Sequence, residues 1–234
     1  MAKANKRRID YKPLLWLPYE TFLEILIFDE YTIVKSQVTY NKNNNKDIYS
    51  LDLKSHLELN GEDLLTKKFQ LIIDENPPKN IKIDKLTKVN EAFEISVPRN
   101  SKIIKTITEV KIFPSKNSAL EGIYQSNNMF CTQCEPEGFR KITWFPDRPD
   151  CLSVFTVKIE VSDQYKTVLS NGNLIEEGVI KNKIGSGDRL FKVWHDPFPK
   201  PSYLFALVVG NLEVNTSKFL TLSNKEIEIS IYTE

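Results

Sequence analysis

At 234 residues, 41% hydrophobic and 11% aromatic, the chain carries enough apolar side chain for one large domain or two small ones, which excludes wholesale disorder. Lys and Arg total 32 against 31 Asp and Glu, a net charge of +1, so no global field draws it to nucleic acid or an anionic membrane, and neither is expected as a partner. Three cysteines do not make a disulfide-stapled secreted domain; they point to a reducing compartment, the cytoplasm.

The chain opens MAKANKRRIDYKPLLWLPYE, which is basic but lacks a signal-peptide apolar run, since Leu14, Leu15, Trp16 and Leu17 lie between Pro13 and Pro18. Residues 1–20 are expected as an N-terminal extension and residues 21–234 as a single β domain. Leu23/Ile25/Ile27 begin a period-two alternation that recurs at Phe93/Ile95/Val97, Phe155/Val157/Ile159/Val161 and Ile227/Ile229/Ile231, each set placing apolar side chains on one face of a half-buried strand. Between the strands, YNKNNNKDIYS (residues 40–50) reads as a solvated loop, and Asn60-Gly61 and Gly185-Ser186-Gly187 mark turns. Asn171-Gly172 suits a type I′ hairpin, because both central residues of that turn need positive φ. The longest apolar run, YLFALVVG (residues 203–210), is far short of the roughly 20 residues that cross a bilayer. Alanine is confined to Ala2, Ala4, Ala92, Ala119 and Ala206, and no segment sustains a 3.6-residue period, so helix has little support. The expected fold is all-β, an antiparallel β-sandwich of two packed sheets.

The chemistry concentrates in NMFCTQCEPEGFRKITWFPDRPD, residues 128–150. Cys131 and Cys134 have C-x-x-C spacing, yet a closed zinc site needs four ligands, and Cys151, His56 and His195 do not form a second half-site in their spacing. A redox pair would want a thioredoxin-like βαβ context, which is missing, so two buried or half-buried thiols are the plainer reading. If residues 129–135 are extended, Cys131, Gln133 and Glu135 share one face while Cys134 points to the other. Pro136 reinforces an extended Glu135. Gln133 and Glu135 then make a compact acceptor pair suited to an ammonium group, set against the alternative of solvated surface.

These residues also carry a resemblance. CTQCEPEGFRKITWFPDRPDCLSVFTVKIE, with ALEGIYQSNNMF before it and VLSNGNLIEEG and DPFPKPSYLFALVVGNLEV after it, resembles the N-terminal domain of the aminopeptidase N type of zinc metallo-aminopeptidase. LELNGEDLLTKKFQLIIDENPP is similar to the early strands of that domain, so the likeness runs over residues 57–214. It implies a saddle-shaped β domain packed over a thermolysin-like catalytic domain in the same protein. Gln133 and Glu135 would bind the free α-amino group of a peptide substrate. The resemblance gives Arg140, Asp147 and Arg148 no catalytic role; fixing the loop around Pro146 and Pro149, or docking the next domain, is expected of them. Trp144-Phe145-Pro146 departs from the commoner aromatic-aromatic-leucine form. The family's H-E-x-x-H zinc motif and G-A-M-E-N loop are absent. Zinc is therefore expected in the full-length enzyme and not in this segment, which is expected to hold no catalytic or metal-binding residue and to be inactive alone. The alternative is a free-standing, non-catalytic β-sandwich binding module.

Overall fold

A computed structural model describes residues 7–8, 11–44, 55–89, 92–181 and 187–234. Among the described residues seventeen strands follow one another. They are β1 (Trp16–Ile27), β2 (Thr32–Lys42), β3 (His56–Leu59), β4 (Leu65–Ile73), β5 (Lys79–Asn80), β6 (Thr87–Val89), β7 (Ala92–Ser96), β8 (Ile103–Ile112) and β9 (Gly122–Ser126). After them come β10 (Met129–Gln133), β11 (Leu152–Ser162), β12 (Thr167–Ser170), β13 (Asn173–Ile180), β14 (Arg189–Pro201), β15 (Leu207–Gly210), β16 (Glu213–Leu220) and β17 (Glu226–Thr233). Among the described residues helix is limited to short 3-10 turns, such as Phe139–Lys141 and Ser202–Leu204.

The alternating apolar residues build the core as the period-two pattern dictates. Leu23, Ile25 and Ile27 of β1 and Phe155, Val157, Ile159 and Val161 of β11 are all buried. The large sheet has eight strands in the order β13-β14-β11-β1-β2-β8-β4-β5. A four-stranded sheet, β12-β15-β10-β9, and a three-stranded one, β3-β7-β6, share a single apolar core with it. The chain is thus the all-β sandwich expected, with two refinements. The smaller layer comes in two pieces, and β1 pairs in parallel with β11 while pairing antiparallel with β2. Trp16 begins β1 and is buried, so residues 16–20 of the expected N-terminal extension belong to the sheet. Three buried hydroxyls in the interior satisfy one another: Ser36 Oγ lies 2.8 Å from Thr108 Oγ1 and accepts from Thr143 Oγ1 at 3.0 Å.

The Asn171-Gly172 hairpin is not formed. β12 pairs with β15 and β13 with β14, so the two residues link strands of different sheets. Gly172 does take positive φ (87°), and a Cβ there would collide with the His195 carbonyl. Asn171 holds the turn with its side chain, accepting from Ala206 N (2.7 Å) and donating to Leu204 O (3.1 Å). Of the other expected turns, residues 185–186 and most of the Asn-rich segment lie outside the described residues.

Residues 11–12 are fastened to the loop after Pro149. Arg148 grips Asp150 through both carboxylate oxygens (2.9 and 2.8 Å), Tyr11 Oη donates to Asp150 Oδ2 (2.8 Å), and Arg148 Nη2 reaches Lys12 O (2.9 Å). Burial alone would raise the Asp150 pKa, but the bonds from Arg148 and Tyr11 outweigh it and hold the carboxyl below its usual range. A carboxyl with a depressed folded pKa stabilises above its unfolded pKa of about 3.9, and this contribution is lost as pH falls through the folded value. Asp150→Asn is therefore expected to lower stability near neutrality and to flatten the acid limb. Denaturant midpoints between pH 2 and 7 that shift equally at every pH would contradict this.

The Ile227/Ile229/Ile231 pattern forms a strand, but its isoleucines stay exposed and no other sheet among the described residues covers them. β17 pairs only with β16, and the hairpin joins no other sheet among the described residues. Phe219, opposite Ile227, shares the isoleucine face, and these side chains are 37–59% exposed. The other face is mixed: Lys218 bound to Glu226 (2.8 Å) and Thr216 to Ser230 (3.1 Å) stand beside exposed Val214, Leu220 and Tyr232. An uncovered apolar face on a two-stranded ribbon favours association. Sedimentation of the 234-residue chain should show concentration-dependent self-association that Ile229→Lys abolishes; a strict monomer at high concentration would contradict it.

Candidate functional site

Strand β10 lies in the middle of the four-stranded sheet, between β9 and β15. Phe130 turns into the core, where it meets Tyr165 edge-on at 5.9 Å, and Gln133 ends the ladder opposite Gly122. The extended state stops there. Pro136 has no N–H to continue a ladder, and residues 134–138 close into a turn in which Gly138 N donates to Cys134 O at 3.1 Å. Gly138 is required by close approach, since a Cβ would stand 2.5 Å from Gln133 O and 2.9 Å from Cys134 Cα.

Glu135 is therefore not a strand neighbour of Gln133, as the alternation suggested, but the first residue of this turn. The two are still brought together. Gln133 Nε2 donates to the Glu135 carbonyl at 2.9 Å, and both side chains are exposed. With the amide nitrogen committed to the turn, Gln133 Oε1 is the atom left to accept. Among the described residues the Glu135 carboxylate has no hydrogen-bond or ion-pair partner. The pair thus offers the Glu135 carboxylate and Gln133 Oε1 as acceptors, the complement of an ammonium.

The thiols diverge. Cys131 is half-buried and bonds to Tyr124, its cross-strand neighbour; that bond and then burial push the tyrosine's pKa up. Cys134 is buried, and burial followed by the nearby Asp147 charge raises its pKa well above the ordinary thiol range. Burial pushes Cys151 up to about 12. Buried, protonated thiols are poor nucleophiles and poor ligands. A native-state titration with an aromatic disulfide should modify Cys131 alone, and all three free thiols in denaturant; rapid native modification of Cys134 would contradict this assignment.

The remaining charged residues form the frame. Arg140, nearly buried, is bound to Asp147, whose other oxygen accepts from Ser202. Lys141 Nζ meets Glu62 at 2.9 Å, Glu121 at 3.3 Å and Asp63 at 3.5 Å. The Glu62 bond above all, against the pull of burial, holds its pKa above the ordinary lysine value. This frame had no spacing signal; its one trace is Asp147 directly after the apolar run Trp144-Phe145-Pro146. The histidines do not join the site. His56 Nε2 lies 3.1 Å from Glu58 Oε1 on β3, and His195 Nδ1 lies 2.9 Å from Thr156 Oγ1 on the large sheet. Among the described residues no three His, Cys, Asp or Glu side chains could together hold a metal, and no helix is long and apolar enough to cross a membrane.

Residues 18–204 match the family model described as the peptidase M1 N-terminal domain. The chain belongs to this family. Within the peptidase M1 N-terminal domain family, aminopeptidase N of Caulobacter vibrioides is 38% identical over 234 residues, 96% of this chain and 24% of that protein. Aminopeptidase N of Escherichia coli is 42% identical over 180 residues, 76% of this chain and 19% of the relative. Among solved structures, Legionella pneumophila aminopeptidase A, in complex with aspartic acid, superposes with a TM-score of 0.80 at 28% identity, covering 97% of this chain and 25% of that one. The chain thus spans about a quarter of the length of these relatives. The β16–β17 hairpin lies beyond the stretch that the family model matches.

Proposed function

We propose that this chain is the N-terminal domain of a zinc-dependent aminopeptidase, and that Gln133 and Glu135 hold the α-ammonium group of a peptide substrate. What supports this most is the unpaired Glu135 carboxylate beside the Gln133 amide, which one hydrogen bond ties to the turn and whose Oε1 can still accept. An exopeptidase must separate a terminal ammonium from an internal amide. A carboxylate does so by attraction to the cation, and it is left desolvated and unpaired when the amine is capped.

Magnitude decides how the pair works. An exposed ion pair is worth about 0–1 kcal/mol, so Glu135 as it stands in this chain holds an ammonium only weakly. Excluding water raises the interaction several-fold, and the covering surface would come from a catalytic domain in the same protein. The described residues do not fit a zinc site: His56 and His195 stand on different sheets, each engaged with other side chains. Zinc, a Lewis acid toward the scissile carbonyl when bound, is therefore assigned no step on these residues. The reading places the protein in the cytoplasm, in keeping with three free cysteines.

The direct test is hydrolysis of amino-acid amides by the full-length protein and by the 234-residue chain with added zinc. Activity is expected in the first and not in the second. Turnover that copurifies with the short chain, or a full-length protein unable to cleave any free-amine substrate, would overturn the proposal.

A further inference from the structure

The buried charge pair behind the candidate site is more elaborate than folding requires. Asp147 is 4% exposed, and every polar atom it owns is engaged. Its Oδ2 accepts from Arg140 N (3.1 Å) and Arg140 Nε (3.2 Å), and its Oδ1 from the Ser202 hydroxyl. Its N–H donates to Asn60 Oδ1 (3.0 Å), and its carbonyl accepts from Arg140 Nη2 (3.0 Å). A buried ion pair is a weak stabiliser compared with apolar side chains of the same volume. What it does supply is position, because each oxygen fixes the place of a different chain segment.

One of those segments leaves the Glu135 turn, and the other leads to the strand paired with β10, which enters it. Arg140 lies in the 3-10 turn that leaves residues 134–138, and its own carbonyl is held by Glu62 N at 3.0 Å. Ser202 lies in the 3-10 turn that leads to β15, the strand whose Val209 and Val208 pair with Phe130 and Cys131 of β10, which enters the same turn. Arg140 also reaches outward, with Nη1 3.6 Å from Glu137 Oε2. Glu137 is the left-handed residue of the turn, at φ 70°, two positions after Glu135.

We infer that Arg140 and Asp147 are positioning residues for amine recognition: they set where the Glu135 carboxylate stands, and so govern the binding of free-amine substrates. This rests on the amine-binding reading above. Lysine at position 140 would keep the charge and lose the planar fork.

The experiment uses the full-length protein. Arg140→Lys should raise KM for free-amine substrates about ten-fold and shrink the preference over N-acetylated substrates by the same factor, with kcat within about two-fold. The comparison is Val110→Ala, a core truncation on β8 with no bond to the turn. It should lower Tm at least as much while leaving KM unchanged. If Arg140→Lys and Val110→Ala alter Tm and KM in the same proportion, the pair is merely structural and the inference is overturned. If Arg140→Lys leaves KM unchanged while Glu135→Ala abolishes the free-amine preference, the inference falls and the amine-binding reading stands. If Glu135→Ala changes nothing, both fall. Should Arg140→Lys fail to fold, Glu137→Gln cuts only the exposed arm of the pair and should raise KM about two- to three-fold; an unchanged KM there would overturn the inference.

Discussion

Replacing Glu135 by alanine in the full-length protein is expected to lower kcat/KM on free-amine peptides by about 30- to several-thousand-fold. Truncating one partner of a desolvated, hydrogen-bonded charge pair costs roughly 2–5 kcal/mol, at about 1.4 kcal/mol per decade. The range is wide because the loss depends on how completely water is excluded once the site is covered. Gln133→Ala should cost less, about two- to ten-fold, since it removes a neutral hydrogen-bonding partner. It should also loosen the turn, because the amide that goes is the one bound to the Glu135 carbonyl. Cys131→Ser and Cys134→Ser should leave the kinetics nearly intact if the fold survives. N-acetylated substrates are the deciding comparison. Discrimination against the capped peptide should shrink in Glu135→Ala, and a variant that retains it, or a Cys134→Ser protein that is folded but inactive, would refute the assignment.

The largest effect on stability is expected from Phe155→Ala, at about 3–5 kcal/mol, the usual cost of truncating a fully buried phenylalanine. Phe155 is 1% exposed on β11 and joins three other rings: Phe139 at 5.8 Å, Phe145 at 6.1 Å and Phe205 at 6.2 Å. Lys200 Nζ lies over the same ring at 4.6 Å. Phe139 comes from the turn that follows Glu135, Phe145 from the segment bridged to Asn60, and Phe205 from the approach to β15. The void would therefore open where three otherwise separate segments meet. Against a total stability of about 5–15 kcal/mol, such a loss leaves little margin. Urea unfolding should show a lower midpoint with an unchanged slope, and a loss below about 1.5 kcal/mol would mean that the rings close over the gap.

Strand periodicity was readable wherever both sides of the pattern had a local cause. Leu23/Ile25/Ile27 and Phe155 to Val161 alternate because their strands have one face on the core, and they fold as they read. Asn171-Gly172 misled because a turn propensity is local while strand pairing is not. The positive φ at Gly172 is real, but the Asn171 side chain fastens the turn to residues 204 and 206 rather than closing a hairpin. Ile227, Ile229 and Ile231 follow the right period, yet burial is a property of two surfaces, and only one of them belongs to this hairpin.

At the candidate site, residue type and two-residue spacing made Gln133 and Glu135 an acceptor pair but left solvated surface open; the amine-binding expectation came from the resemblance. Alternation alone put them on one strand face, whereas Pro136 and Gly138 turn the chain and bring them together through a hydrogen bond. Arg140 and Asp147 were expected to fix the loop around Pro146 and Pro149, and they bind each other there, but the rest of the frame was illegible. Its partners, Asn60 and Ser202, are distant in sequence, and only the fold brings them within bonding reach.

The parallel pairing of β1 with β11 has a consequence for the order in which the protein is made. β2 follows β1 directly and can close one of its edges early, but the other edge waits for the partner of Glu20, which is Val154. At ribosomal speeds of about 5–20 residues per second, that wait is on the order of ten seconds. Throughout it, a strand destined for the middle of the sheet stands at the border, with its backbone donors and acceptors unpaired and its apolar face half covered. Nascent chains that carry β1, β2, β4 and β8 but lack β11 are thus the species on which chaperones would act, and the completed β11 is the segment whose arrival ends that exposure.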